Sequence, residues 1–348
     1  MKGLRVAVVG ATGMVGRVLL ERLERRRFPV AALLPFSSGR ARAAVRFKGR
    51  AIPAPAADAA ALRSADVAFL VSSDEVALAW GKDLAARGVW VLDDSAAFRL
   101  DPAVPLVIPE VNAAALRADK RLVAGPNCTI TGLAVAAAAL HRRSGVKRVR
   151  MASYQAVSGA GREALLEFYA QARRGARSLS DADMLRAPVP GKASALPATI
   201  AFNVFPQVGR FNADGECSEE VKVRNELRKL WGAPGLALSA TTVRVPVARG
   251  HSVAAWLELS RPLTPRAAAA LAANAPGVTV WKDGAYPTPL QAGGGDAVHA
   301  ARWRRGAAPK ELAVWVVTDN LLKGAALNSI QTAEALLKKG WLRPRRPS

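Results

Sequence analysis

The sequence predicts an α/β chain of two domains. The first is a doubly wound parallel sheet, and the second is an α+β domain with a mainly antiparallel sheet. Three observations carry this expectation. Short apolar runs alternate with helical patterns over about the first 125 residues, as consecutive βα units do. The first run, Leu4 to Val9, ends in a glycine-rich turn that leads straight into a helix. Beyond Leu140 the texture changes to longer β-rich runs, and 348 residues is room for about two domains.

Composition narrows the class. With 51% hydrophobic residues the chain is globular, and no apolar run reaches the ~18 residues of a membrane span. Met1-Lys2-Gly3-Leu4-Arg5 runs directly into a strand rather than a leader peptide. Two cysteines, Cys128 and Cys217, make no disulfide framework, so a reducing cytoplasm is expected. His141, His251 and His299 show no metal-ligand spacing, and no metal is expected. The net charge is +23. The basic residues are spread along the chain without interleaved aromatics, which argues for a solvated surface over nucleic-acid binding.

The turn after the first strand reads Gly10-Ala11-Thr12-Gly13-Met14-Val15-Gly16. Strand, glycine turn and helix in that order suit a dinucleotide: Gly10 for the turn, Gly13 for the approach of the pyrophosphate, Gly16 for helix packing. This is the Rossmann-type arrangement. The strand Val30 to Leu34 ends without the carboxylate that would hold ribose hydroxyls. Ser37, Ser38, Arg40 and Arg42 follow instead, a set that suits the 2′-phosphate of NADP. Further strands are expected at Asp66 to Val71, Trp90 to Leu92, Val104 to Ile108 and Leu122 to Ala124. Arg99 and Cys128 fall at strand carboxyl ends, where ligands bind in such sheets.

Cys128 stands at the mouth of an apolar, Ala-rich helix expected from Leu133 to Leu140, with Asn127 and Thr129 as candidate caps. A thiol there feels the positive end of the helix dipole, and the free N–H groups suit an oxyanion. Downstream, Val149 to Tyr154 reads as a strand that ends in the turn Gln155 to Gly161. A helix follows from Arg162 to about Arg173, and Ala176 to Pro197 reads as a polar loop. Glu219 to Leu230 is an amphipathic helix. Ser239 to Val247 and Ser252 to Leu259 read as strands with a hairpin-like connection. Asp319-Asn320 opens a last helix expected to return to the first domain.

These stretches together resemble aspartate-semialdehyde dehydrogenase over essentially the whole length. The matches are Gly10–Gly16, Asp93–Arg99 with Val104–Asn112, Gly125–Thr129, Tyr154–Gly161, Ile200–Pro206, Glu219–Lys222, Val243–His251 and Trp315–Asn328. The resemblance implies an NADP-binding domain at 1–127, completed by 319–348, and a catalytic and dimerisation domain at 128–318. It implies reversible reductive dephosphorylation of aspartyl phosphate to the semialdehyde, on the path to lysine, methionine, threonine and isoleucine. By the same resemblance Cys128 is the nucleophile, His251 the acid/base and Gln155 the residue that orients the acyl group. Arg244 partners the substrate carboxylate and Glu219 its amine, although Glu220 could exchange roles with Glu219. Arg99 and Lys222 make the phosphate site, beside Asn127. Thr12, Gly13, Met14, Val15, Ser158, Gly159 and Asn320 match cofactor contacts. A homodimer or homotetramer is implied.

The sequence also departs from the family pattern. Asp94 and Ala96 stand where Asn and Ser are usual, and Gly125 where Asn is usual. The nearest alternative activity is that of N-acetyl-γ-glutamyl-phosphate reductase, which shares the cysteine chemistry. The carboxylate of Glu219 argues against it, because a free amine needs an acidic partner and an acetylated one does not. A non-catalytic relative acting in binding or assembly is the other alternative, and retention of both Cys128 and His251 argues against that.

Overall fold

A computed structural model describes residues 3–39, 43–179, 188–282 and 284–345. Arg40 and Arg42 lie outside the described residues, as does part of the polar loop expected at 176–197. The chain divides into two compact units. One comprises Met1–Thr131, Glu226–Ala233 and Leu321–Ser348; the other comprises Gly132–Asn225 and Pro234–Asn320.

The first unit holds β1 (Leu4–Val9), α1 (Met14–Arg25), β2 (Val30–Phe36), β3 (Ala44–Phe47), β4 (Arg50–Pro53) and α2 (Ala59–Ser64). It continues through β5 (Val67–Leu70), α3 (Asp74–Ala86), β6 (Trp90–Asp93), α4 (Pro109–Asn112) and β7 (Leu122–Ala124). The sheet runs β2-β1-β5-β6-β7, and every pairing is parallel. The strands read as continuous apolar runs because parallel strands are covered on both faces. Val6, Val8, Val67, Phe69, Trp90 and Leu92 meet Leu19, Leu20 and Leu23 of α1 in one core. The chain leaves β1 toward β2 on one side and β5 on the other, which opens a crevice at their carboxyl ends.

Two local features differ from expectation. Val104 to Ile108 forms no strand; it makes a single bridge, Leu106 to Ala124. Pro105 and Pro109 bracket it and have no N–H to extend a ladder. The hairpin β3–β4 was not legible in the sequence. Its two-residue turn, Lys48-Gly49, has both φ angles positive, at 48° and 76°.

The helix α5 (Cys128–Ala136) begins at the cysteine itself rather than at Leu133, and its residues from Gly132 onward fall in the second unit. That unit continues through α6 (Ala138–Ser144), β8 (Val146–Gln155) and α7 (Arg162–Arg177). The helix α8 (Ser218–Trp231) follows, and its residues up to Asn225 belong to this unit. Then come β9 (Ala237–Arg244), β10 (His251–Leu259), α9 (Pro265–Ala273), β11 (Val278–Val280), α10 (Pro289–Ala292), β12 (Val298–Arg305) and β13 (Glu311–Thr318).

The second sheet has the order β11-β12-β13-β10-β8-β9. Its central pairings are antiparallel, whereas β8–β9 and β11–β12 are parallel. The hairpin expected between the runs at 239–247 and 252–259 does not form. Those strands sit on opposite sides of β8, so each end of the Val245–Gly250 connection lies beside the end of β8. The final segment, a π-helical turn at Leu322–Ala326 and α11 (Leu327–Lys338), belongs to the first unit.

Candidate active site

In the first unit the chemistry gathers at the carboxyl edge of the sheet. β1 leads into the glycine turn, β6 into Arg99, and β7 into Gly125-Pro126-Asn127-Cys128. Gly10 has φ +90°, and a Cβ there would come within 2.4 Å of the Val71 carbonyl oxygen. A Cβ on Gly16 would lie 2.2 Å from the Gly10 oxygen. Gly13 is different: it is exposed, caps α1, and a Cβ on it would approach only the Gly10 oxygen, at 3.2 Å. The turn therefore closes inward and stays open outward at the first turn of a 12-residue helix that carries no acidic side chain there. Those residues fit the pyrophosphate of a dinucleotide.

At the end of β2 the Ser37 hydroxyl donates to the Ala54 carbonyl at 2.6 Å, so its proton is already committed. Ser38 is exposed.

Asn127 caps the catalytic helix. Its Oδ1 accepts the Thr129 N–H at 2.7 Å and its carbonyl accepts the Thr131 hydroxyl at 2.8 Å. Cys128 then occupies the first helical position, partly exposed. Arg99 is buried, with 8% exposure. Its Nη1 donates to Glu226 Oε1 at 3.2 Å and its Nη2 to the Asp94 carbonyl at 2.7 Å, while its Nε has no hydrogen-bond partner among the described residues. Burial works against the Arg99 charge. The Glu226 carboxylate and the Cys128 sulfur outweigh it, so the guanidinium is held above its ordinary pKa.

Glu226 was not singled out from the sequence. Its Oε2 also accepts the backbone N–H of Asn127, at 2.6 Å. The available signal was spacing: Glu226 lies one helical turn after Lys222. Lys323 was missed as well. It is 1% exposed and donates to Glu110 at 2.7 Å, Asn328 at 3.1 Å and Gln331 at 2.6 Å. The next residue, Gly324, backs onto the cysteine, where an added Cβ would lie 2.8 Å from Cys128 Cβ.

Asp94 accepts a 2.5 Å bond from the Ser329 hydroxyl, and its Oδ2 is buried without a partner among the described residues. Burial raises its pKa to about 7, with Asp93 adding to the shift against the pull of Ser329 and Arg99.

In the second unit Ala156 anchors two expected site residues at once. Its N–H donates to His251 Nδ1 at 3.0 Å, and its carbonyl accepts Arg244 Nη1 at 2.7 Å. The turn is bound to the 245–248 segment by Val157 N–H to the Val247 carbonyl and Ser158 N–H to the Ala248 carbonyl. Gly159 sits against both side chains: a Cβ there would be 3.2 Å from Arg244 Nη1 and from His251 Nε2.

His251 is 1% exposed, and burial together with Arg244 lowers its pKa to about 3. An acid/base histidine ordinarily titrates near neutrality, and burial takes this ring well below that range. With Nδ1 accepting from the backbone, the neutral ring carries its proton on Nε2.

Gln155 is fixed at both ends of its amide. Ser153 donates to its Oε1 at 3.2 Å, and its Nε2 donates to Glu219 Oε1 at 3.0 Å. Glu220 instead accepts the backbone N–H groups of Cys217 and Thr242, both at 2.9 Å. Asn320 Nδ2 donates to Ser158 Oγ at 3.0 Å, and its Oδ1 accepts the Gly250 N–H at 2.9 Å. Lys222 is half-buried on α8, in a different unit from Arg99.

Residues 5–119 match the semialdehyde dehydrogenase NAD binding domain, and residues 138–323 match the semialdehyde dehydrogenase dimerisation domain. The chain is 38% identical to an aspartate-semialdehyde dehydrogenase of Synechocystis over 344 residues, covering 97% of this chain and 99% of that protein. It is likewise 38% identical over 343 residues to the Bacillus subtilis protein of that name, with 97% and 98% covered. Among solved structures, aspartate semialdehyde dehydrogenase II from Vibrio cholerae, complexed with ASA, superposes with a TM-score of 0.91 at 31% identity, covering 97% of this chain and 99% of that one. At this identity over nearly its full length, the chain belongs to the aspartate-semialdehyde dehydrogenase family.

Proposed function

We propose that this chain reduces L-aspartyl 4-phosphate to L-aspartate 4-semialdehyde with NADPH, releasing phosphate, through an acyl thioester on Cys128. The observation that carries the reading is a partly exposed thiol on the first residue of a capped helix, within the electrostatic reach of a buried arginine whose Nε lacks a partner among the described residues. The helix dipole and Arg99 both favour thiolate, the reactive form.

The sulfur attacks the acyl carbon, a C–S bond forms and the C–O bond to phosphate breaks. Arg99 and Lys222 stabilise the leaving phosphate by charge. NADPH, when bound, supplies a hydride to the acyl carbon. Collapse of the resulting thiohemiacetal breaks the C–S bond, frees the aldehyde and returns the thiolate. His251, neutral throughout the working range, serves by donating from Nε2 to the developing oxyanion, which needs no net proton transfer at the ring. Gln155 orients the acyl group, the Arg244 fork receives the substrate carboxylate, and Glu219 receives its amine.

Gly10, Thr12, Gly13, Met14 and Val15 hold the dinucleotide, with Ser158, Gly159 and Asn320 as further contacts. The exposed Ser38 suits the 2′-phosphate that distinguishes NADP, while the Ser37 proton is committed to Ala54 and Arg40 lies outside the described residues. The reaction serves lysine, methionine, threonine and isoleucine biosynthesis. The two free cysteines fit a reducing cytoplasm. No helix among the described residues is long and apolar enough to cross a membrane.

The test is phosphate-dependent NADP reduction with aspartate semialdehyde, run beside N-acetylglutamate semialdehyde and beside NAD. The reading expects turnover of the first aldehyde only, and preference for NADP. Replacing Cys128 by Ala removes the nucleophile and should lower kcat by about 10⁴-fold or more. Retained activity in that variant refutes the thioester route.

A further inference from the structure

Glu226 is a buried carboxylate that neither the family resemblance nor the chemistry above employs. It is 1% exposed and both its oxygens are spent on the site: Oε1 on the Arg99 guanidinium at 3.2 Å, and Oε2 on the N–H of Asn127 at 2.6 Å. The two donors differ in consequence. Arg99 carries the charge beside the nucleophile, and Asn127 is the cap from which the nucleophile's helix starts.

The rest of that helical turn reinforces the grip. Lys229 Nζ donates to the carbonyls of Arg99, Asp101 and Val104 at 2.9, 2.7 and 2.8 Å, so the loop that carries Arg99 is held along its length. A buried guanidinium that pairs with one carboxylate and keeps its Nε unpartnered among the described residues is an anion site whose charge is balanced beforehand. Without the carboxylate the cation stands alone in a desolvated setting, which is costly until an anion arrives.

We propose that Glu226 is a positioning residue for the reaction: it holds Arg99 and the Asn127-Cys128 turn in register, and it balances the Arg99 charge whenever phosphate is absent. The balance has two effects. It limits how strongly Arg99 retains phosphate, which has to leave before the hydride step. It also limits the positive field at the Cys128 sulfur. The phosphate half of this inference rests on reading Arg99 as the phosphate group; the field at sulfur does not.

The variants are Glu226→Gln, which removes the charge, and Glu226→Asp, which keeps it. The first measurement is the pH midpoint of Cys128 alkylation by iodoacetamide in the free enzyme. With its counter-charge gone, Arg99 favours thiolate more strongly, so the midpoint in E226Q should fall by about half a pH unit or more and recover in E226D. The second is steady-state kinetics with aspartate semialdehyde, phosphate and NADP. In E226Q the KM for phosphate should fall severalfold, and kcat about tenfold because the one amide oxygen cannot serve both Arg99 and Asn127, while the KM for NADP stays within about twofold. General damage to the site would raise the KM values together and leave the midpoint where it was.

Should E226Q fail to fold, Arg99→Met and the double variant R99M/E226Q carry the test. R99M leaves a lone carboxylate and should raise the midpoint, and the double variant should bring it back down. An unmoved midpoint in these comparisons overturns the proposal. A lowered midpoint in E226Q without a lowered phosphate KM keeps the charge-balancing role and overturns the reading of Arg99 as the phosphate group.

Discussion

Two residues set opposite pH trends, and both follow from burial. His251 is pushed from 6.5 to about 3, so the unfolded chain takes up a proton on it first as pH falls. Its contribution to stability is complete above about 6.5 and is lost as pH falls toward 3. Asp94 is pushed from 3.8 to about 7, so its contribution is complete below about 3.8 and is lost as pH rises through 7. Asn keeps the acceptor for Ser329 and carries no charge to bury. Asp94→Asn should therefore stabilise the protein by roughly 1–3 kcal/mol at pH 8 and hardly at all at pH 4, read from urea unfolding at the two pH values. Equal shifts at both would show that Asp94 stays ionised. For His251 the expectation is kinetic. The kcat profile should show no limb from this ring between about pH 5.5 and 7.5, and His251→Gln should lower kcat by about 10²-fold or more without moving the thiol profile. Cys128, His251, Gln155 and Arg244 were legible as site candidates because their family motifs are local in sequence. The buried setting of His251 was not, since a Gly-His turn reads alike whether its strand is covered or exposed.

Among the elements, the π-helical turn at Leu322–Ala326 shows what a sequence pattern leaves out. Read as one apolar helix, the last segment has the right periodicity from Asp319 to Leu337. The widened turn lets Lys323 reach Glu110, Asn328 and Gln331 while Gly324 presses on the cysteine. With 2.8 Å available to a new Cβ, Gly324→Ala should displace Cys128 and lower kcat by at least about tenfold, with a stability loss of roughly 1–3 kcal/mol. Wild-type kcat in that variant, at unchanged dinucleotide affinity, would mean that the turn gives way without cost to the nucleophile. The connection between β9 and β10 is a second case. A hairpin reading was reasonable for two β-rich runs joined by a short turn, but both strands have β8 as their better partner, one parallel and one antiparallel. That choice puts the end of β9, with Arg244, and the start of β10, with His251, on either side of Gln155 at the end of β8.

At the scale of the whole molecule, one face of the second unit's sheet carries part-exposed aromatic and basic side chains. Along it lie Arg150 and Tyr154 of β8, Trp256 of β10 and Trp315 of β13, with Tyr154 and Trp315 rings 5.5 Å apart between centroids. Tyr154 is 39% exposed. Aromatic and arginine side chains on a part-exposed sheet face are the usual anchors of a protein interface. They suit a second copy of the chain, in keeping with the dimerisation domain matched at 138–323. Trp256→Arg should weaken the dimer by about 100-fold, seen as a shift toward monomer in light scattering on dilution. An unchanged mass would place the interface elsewhere.

The sequence by itself determined the βα alternation, the glycine turn between the first strand and its helix, the place of Cys128 just before an apolar helical run and the family. Each of these depends on residues close together in the chain, where periodicity, capping and glycine geometry act. Tertiary structure decided which strands became neighbours, which of Glu219 and Glu220 faced Gln155, and that His251 stays neutral. It also assigned Glu226 to Arg99, across 127 residues of chain. Burial and long-range charge pairing are properties of the packed core, and a single buried carboxylate on a helix looks, in sequence, like any solvated one.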